Sequence, residues 1–375
     1  MQFQNNIVAT FDGIPSNLGD LQYVINNVNA KYNNSNWKMF TDVLPQSESR
    51  KFSVLLDETG IVVKASPLGR MGQKPLRSFD GAALYSDSVH KIGHGFSITQ
   101  SDLDDIREMN LVNMDLAKEI AKRYANRTQA IIGGIHATFN GWIYNALSKQ
   151  EIYIYNQGVK EYTFDLRVPA ANKLKVKSSN ANWFDADPIK YNIINDLMRM
   201  VKRAGDDDVN IPKNEMVFVT SKSLKDKILL DPTVITAIKN RMPNINANAI
   251  LTDNEVETAL RVFNLPAIIV IDEKSRVEMD GVPTLAPADF DENMISLIPM
   301  GKIFNLHNSP SSVRDEKDPS VITTTFEGNL IGALEKFGAD PMVTITNFEA
   351  IAFPSFKNPR KIVSLDSSQH SANGN

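Results

Sequence analysis

Residues 115–148 read DLAKEIAKRYANRTQAIIGGIHATFNGWIYNALS. Leu116, Ile120, Tyr124, Ile131, Ile135, Phe139, Ile143 and Leu147 recur at helical spacing and form one apolar stripe. Lys118, Glu119, Lys122, Arg123 and Arg127 populate the polar face. At 1.5 Å per residue a continuous helix over 113–148 is about 50 Å long. That exceeds the usual globular helix. Gly133-Gly134 either weakens its middle or lets another element pack close. The pattern predicts one long helix, with any bend placed at the glycine pair.

Upstream the character changes. Residues 52–98 read as extended chain punctuated by Gly and Pro. Phe52–Leu56, Ile61–Ala65, a strand near Tyr85 and Val89, and Ile92–Ile98 are the strand candidates. Gly69, Gly72 and Pro75 mark a loop that carries Lys64, Arg70, Lys74 and Arg77 with few balancing acids. Too little apolar alternation is present for a core, so a long hairpin reaching onto another subunit fits better than a compact sheet. Residues 1–50 are polar, turn-rich and broken by Pro15 and Pro45, as an arm packed on its own chain or a neighbour would be. A short helix is expected over 102–109, capped by Thr99 or Ser101-Asp102.

Downstream, Glu151–Tyr155 and Tyr162–Leu166 read as strands, and 171–189 as mixed loop. Asp187-Pro188 introduces a helix over 189–204 that Gly205 ends. An α/β pattern follows. Met216–Val219 is a buried strand, and Thr220 or Ser221 caps a helix over 222–229. Asp231-Pro232 starts another helix reaching Asn240. Thr252 to Glu255 resembles a capping box before 254–263. Ala267–Asp272, Met294–Pro299 and Lys302–Leu306 are strands. Residues 318–367 are strand-rich, and 368–375 are expected to be disordered.

The bulk numbers set limits. The 375 residues allow two or more domains, and the absence of cysteine excludes disulfides, thiolate metal sites and thiol nucleophiles. With 40 Lys+Arg against 44 Asp+Glu, the net charge of −4 favours neither nucleic acid nor acidic membranes over the whole chain. No run approaches the ~18 apolar residues of a membrane span, and no signal peptide is expected.

The candidate chemistry is sparse. His90 and His94 are four apart, a metal-ligand spacing only on a helix, and Gly93 and Gly95 argue against one. His136 reads as a packing or interhelical residue rather than a base, and His307 as a loop residue without an orienting carboxylate nearby in sequence. Asp206-Asp207-Asp208 could bind a hard cation or be an exposed charged turn. Ser221 and Lys225 lie one helical turn apart, a spacing common on solvent faces. No phosphate-binding glycine loop or nucleophile-elbow motif occurs in the sequence. These residues suggest no catalytic centre, cofactor or metal. The basic residues Lys64, Arg70, Lys74 and Arg77 remain the best candidates for contact with phosphates or an acidic protein surface.

The order of arm, basic hairpin, long helix, α/β insertion and strand-rich return resembles the major capsid proteins of tailed bacteriophages. Within them it looks most like the family typified by the lambda major head protein. The resembling stretches are Val63–Arg70, Gly93–Ile98, Phe218-Val219-Thr220-Ser221, and Met294–Pro299 with Gly301-Lys302-Ile303. The resemblance implies an α+β capsid fold. Residues 1–50 would be an N-terminal arm and 51–97 an extended loop over an adjacent subunit. Residues 98–189 and 311–367 would build a peripheral domain whose spine is the long helix, and 190–310 an axial α/β domain. It further implies pentamers and hexamers on an icosahedral shell around double-stranded DNA, with non-specific DNA contact. Separate scaffolding and portal proteins are implied, with decoration proteins as further candidates, and a virion assembled in a bacterial cytoplasm. It assigns Lys64, Arg70, Lys74 and Arg77 to intersubunit contact. The rival readings are a hydrolase built on 190–310, using carboxylates or His307, and a tail or portal-associated structural protein.

Overall fold

A computed structural model describes residues 35–56, 83–99, 101, 114–156, 159–185, 190–241, 253–273, 276–279, 282–285, 290–316, 321–339 and 342–374. The strand expected at 61–65, the helix at 102–109 and the cap at Thr252 lie outside these residues.

In chain order the elements are α1 (Trp37–Phe40), β1 (Thr41–Val43), β2 (Lys51–Leu56), β3 (Ala83–Ser88), β4 (His90–Thr99) and α2 (Met114–Lys149). Then come β5 (Glu151–Asn156), β6 (Val159–Asp165), β7 (Lys173–Lys177), α3 (Ile193–Ala204), β8 (Met216–Ser221), α4 (Lys222–Leu230), α5 (Pro232–Arg241), α6 (Asp253–Val262) and β9 (Ile268–Ile271). The remainder is β10 (Arg276–Met279), β11 (Val282–Leu285), β12 (Met294–Pro299), β13 (Phe304–Ser309), β14 (Val321–Phe326), β15 (Ile331–Ala339), β16 (Met342–Phe356) and β17 (Val363–Ser371). No helix among the described residues is long and apolar enough to cross a membrane.

The chain divides into two packed units. One draws on Met1–Ser53, Ser86–Asn140 and Phe304–Ser355, the other on Val54–Tyr85, Gly141–Ile303 and Phe356–Asn375. The long helix runs unbroken through Gly133-Gly134. Of the two expected effects of that pair, close approach is the one seen: a Cβ on Gly134 would lie 3.3 Å from the His94 ring.

The first unit holds a six-stranded sheet in the order β1-β13-β16-β15-β14, with β4 also on β16. The 15-residue β16 is its organiser. Its Val343–Ala352 stretch pairs antiparallel with Thr99–His90 of β4, and Met342–Glu349 with Ala339–Gly332 of β15. β1 joins β13 in parallel, Thr41 opposite Phe304.

The second unit holds a five-stranded sheet, β7-β17-β12-β8-β9. All six residues of β8 are buried, as expected of a strand covered on both faces. Phe218, Ile295, Leu297, Val363 and Leu365 pack with Leu197 and Met200 of α3 in one apolar core. Alternation turns Ser296 to the opposite face, where its hydroxyl donates to the Leu147 carbonyl of α2 at 2.5 Å. Gly141–Ser148 of α2 are buried throughout, so this end of the helix is enclosed on all sides rather than along one stripe. Two of its polar side chains are satisfied within the helix: Asn145 donates to the Gly141 carbonyl (2.9 Å) and Ser148 to that of Tyr144 (2.8 Å), while the Tyr144 hydroxyl donates to Glu273 at 3.0 Å.

The caps follow the sequence in part. Ser221 accepts from the Leu224 N–H at 3.1 Å, and Asp231 from the Thr233 N–H at 2.8 Å. At α3 the cap is Asn192, which accepts from the Asn195 N–H at 2.9 Å, so the helix starts later than Asp187-Pro188 suggested.

Packing and the sequence-based boundaries differ in three places. Residues 173–177, expected to be loop, form β7, whose Leu174 and Val176 enter the core of the second unit while its lysines point away. The 311–367 return segment divides: β14, β15 and β16 to Ser355 belong to the first unit, β17 to the second. The tail from 368 is ordered to Gly374 rather than disordered. After a bulge, His370 and Ser371 pair with Val176 and Lys177. The Gly374 carbonyl accepts from the Lys175 N–H at 3.0 Å and from the Arg199 guanidinium at 3.2 Å. Parallel pairing with β7 supplies the backbone partners that a free tail lacks.

Candidate functional site

The predicted contact residues Lys64, Arg70, Lys74 and Arg77 all lie outside the described residues. Two polar clusters of the first unit gather groups from distant parts of the chain.

One enclosed cluster centres on His136 of α2. Trp37 is 0% and His136 2% exposed. The indole Nε1–H donates to His136 Nδ1 at 3.0 Å, while the Trp37 backbone N–H donates to Asn140 Oδ1 at 2.9 Å. Residues 136 and 140 are one helical turn apart, so a single face of α2 grips Trp37 twice. The ring also lies 5.2 Å from that of Phe139. On the far side, His136 Nε2 lies 3.1 Å from Glu327 Oε1, and Lys38 Nζ lies 2.9 Å from Glu327 Oε2. An indole donor at Nδ1 selects the tautomer with its proton on Nε2, facing the carboxylate. Burial pushes the Glu327 carboxyl up, but His136 and Lys38 outweigh it and hold it below the usual range. Both imidazole nitrogens are thus engaged. The expectation that His136 is a packing or interhelical residue holds: its partners come from the short helix α1 and from the β14–β15 turn.

A second cluster floors an open cleft of about 480 Å³ between β4, β16 and the turn at 312–316. Glu349, 7% exposed, pairs with Lys91 and accepts from Ser311 (2.5 Å) and Ser312 (2.7 Å). Burial raises its pKa, yet these three donors outweigh burial and set it at about 2. Gly95 opposes Asn347 in the β4–β16 register, and a Cβ there would meet the Asn347 side chain and the Thr346 carbonyl (2.9 Å).

The other candidates are placed as follows. His90 and His94 sit on strand β4, where four residues span about 13 Å, too far to share a metal ion. Among the described residues no group of three His, Asp or Glu side chains is arranged to hold one. His307 lies on β13 rather than in a loop, 2.7 Å from Ser355 Oγ. Ser355 is 2% exposed and His307 partly buried, so the hydroxyl of this pair is packed away from solvent. Two of the three aspartates at 206–208 are engaged by Arg203: Asp206 at 3.0 Å, and Asp208 at 2.8 and 2.5 Å. Ser221 is committed to its cap.

No family model matches the chain, and no curated protein matches it. Solved structures do match. One is described as the "putative capsid protein of prophage (E.coli CFT073)": 14% identity, 93% of this chain and 98% of that chain, TM-score 0.51. Another is a phage-related protein from Bordetella bronchiseptica RB50: 11% identity, 92% and 96% coverage, TM-score 0.51. The likeness is one of fold. It spans nearly all of each chain and is not confined to one sheet.

Proposed function

We propose that this chain is a major capsid protein, self-assembling as pentamers and hexamers into an icosahedral shell around double-stranded DNA. The near full-length fold likeness to the prophage capsid structure is the observation that carries the reading. The architecture supports it. β2 and β3 form a two-stranded sheet of their own, outside the two large sheets, as the root of an extended loop would. In this reading α2 is the spine, the sheet of β7, β17, β12, β8 and β9 with its helices is the axial domain, and the β16 sheet belongs to the peripheral domain. Lys64, Arg70, Lys74 and Arg77 then contact a neighbouring subunit. Membership of the lambda-type head protein group is part of the proposal, as are separate scaffolding and portal partners, non-specific contact with packaged DNA and residence in the virion.

A shell subunit needs many moderate, repeated contacts and no catalytic cleft. We therefore read the chain as a non-enzyme. The buried hydroxyl of Ser355 disfavours the hydrolase alternative at His307, because a nucleophile must meet its substrate. Sedimentation of the purified chain with negative-stain microscopy tests the proposal. Closed shells, or rings of five or six, are the expected result. A persistent monomer at high concentration would overturn it, and helical tubes would favour a tail component.

A further inference from the structure

Phe52 is the buried residue of β2 between exposed Lys51 and Ser53. Its ring stacks on His307 of β13, with centroids 4.1 Å apart and planes 12° from parallel. It also lies 6.2 Å from Phe353 of β16. His90 of β4 meets the other side of the group, edge-on to Phe353 at 5.0 Å. Four strands thus contribute one ring each to a row: His307, Phe52, Phe353, His90. Phe52 anchors β2 within this row, and β2 forms with β3 the separate two-stranded sheet.

We infer that His90 and His307 form an acid-sensitive clasp on β2: both are neutral when the clasp is closed, and protonating them loosens Phe52 and the β2–β3 pair it anchors. The inference concerns the chain itself and does not rest on the assembly reading.

The surroundings decide the sign. Burial lowers the pKa of His307 from 6.5. Burial also lowers that of His90, while Asp87 at the end of β3 acts in the opposite direction. Asp87 Oδ1 accepts from the Ser88 N–H at 2.7 Å. Ser355, the polar partner of His307 on β16, is a hydroxyl and brings no charge. Glu349, on the same face of β16 four residues from Phe353, is committed to Lys91. A protonated ring over the Phe52 face gains some cation–π attraction, but desolvation is the larger effect at both sites. With the folded pKa below 6.5, the opened strand takes up protons first. Stability of the clasp is present above about pH 6.5 and is lost as pH falls towards the folded values. Glu327 and Glu349 titrate from an ordinary 4.5 downward. The interval from pH 7.5 to 5.5 therefore isolates the histidines.

The test is amide hydrogen exchange of the full-length chain at pH 7.5 and 5.5, corrected for the intrinsic exchange rate. It compares the native chain with the His90→Gln, His307→Gln double variant. Each histidine changes the opening equilibrium by at most about tenfold per pH unit. We expect Lys51–Leu56 to lose protection several-fold or more on acidification, while Met216–Ser221 of the second unit holds its own. The double variant should lose that acid response. Unchanged protection of β2, an equal loss in β8, or an undiminished acid response in the double variant would each overturn the clasp. Should the variant fold poorly, imidazole NMR titration of the native chain decides the matter: both folded pKa values below 6.5 support the clasp, and either at or above 6.5 overturns it.

Discussion

Replacing Trp37 with phenylalanine removes one hydrogen-bond donor and part of a fully buried ring, while the backbone bond to Asn140 stays in place. His136 Nδ1 then keeps its buried position but loses the indole N–H. The Ser35 hydroxyl, 3.4 Å from the same nitrogen, is a long contact, and so weakening the bonding of a buried acceptor costs about 1–3 kcal/mol. Shrinking the ring beside Phe139 adds a cavity cost of about 1 kcal/mol, well under the full truncation of a tryptophan. The expected loss is about 2–4 kcal/mol in the unit that contains α1 and β16. Because the chain has two units, a single global transition is a poor readout. Hydrogen exchange of residues 130–140 in increasing urea reports the relevant unit directly. Pairing Trp37→Phe with His136→Leu closes a double-mutant cycle. Each single change weakens the bonding of a buried group that the double change removes, so the two should couple by about 1 kcal/mol or more. Additivity within about 0.3 kcal/mol would refute the claim that Trp37 and His136 act as a bonded pair.

Other outcomes follow from the same geometry. Glu349, at about 2 instead of 4.5, contributes on the order of 3 kcal/mol that is present above pH 4.5 and lost as pH falls towards 2. Acid unfolding of Glu349→Gln followed by circular dichroism should lack that low-pH component. Gly95→Ala should cost about 1–3 kcal/mol by overpacking, and adding Asn347→Ala should not restore it, since the Thr346 carbonyl remains in the way; thermal melts of the two variants decide this. Ser221→Ala should lower stability by about 1 kcal/mol through loss of the α4 cap, with Ser221→Asp close to the native value in urea unfolding.

Much of the local structure was legible because it rests on short-range rules. The long helix, β8, and the caps at Ser221 and Asp231 depend on spacing and side-chain chemistry within a few residues. β7 was legible too, in principle: Lys173-Leu174-Lys175-Val176-Lys177 is a strict two-residue alternation, although its three lysines resemble a solvated loop. The ordered tail was not, since His370 and Gly374 are held by residues far back in the chain: Asn182, Lys175 and Arg199. The His136 cluster was hidden for the same reason. Trp37 and His136 are 99 residues apart, and nothing in either local sequence announces the other. The β16 strand lies within the strand-rich stretch 318–367, but the polar Asn347 and Glu349 in its middle hide its full length of Met342–Phe356. In the fold they line the cleft and take part in the β4 and β15 registers.

Cryo-electron microscopy of particles formed by the purified chain tests the central claim most directly. The account expects closed icosahedral shells with this chain at both five-fold and six-fold positions, α2 lying in the shell wall, and the segment between β2 and β3 reaching a neighbouring subunit. A uniform monomer, or an open helical tube with no five-fold vertices, would contradict it.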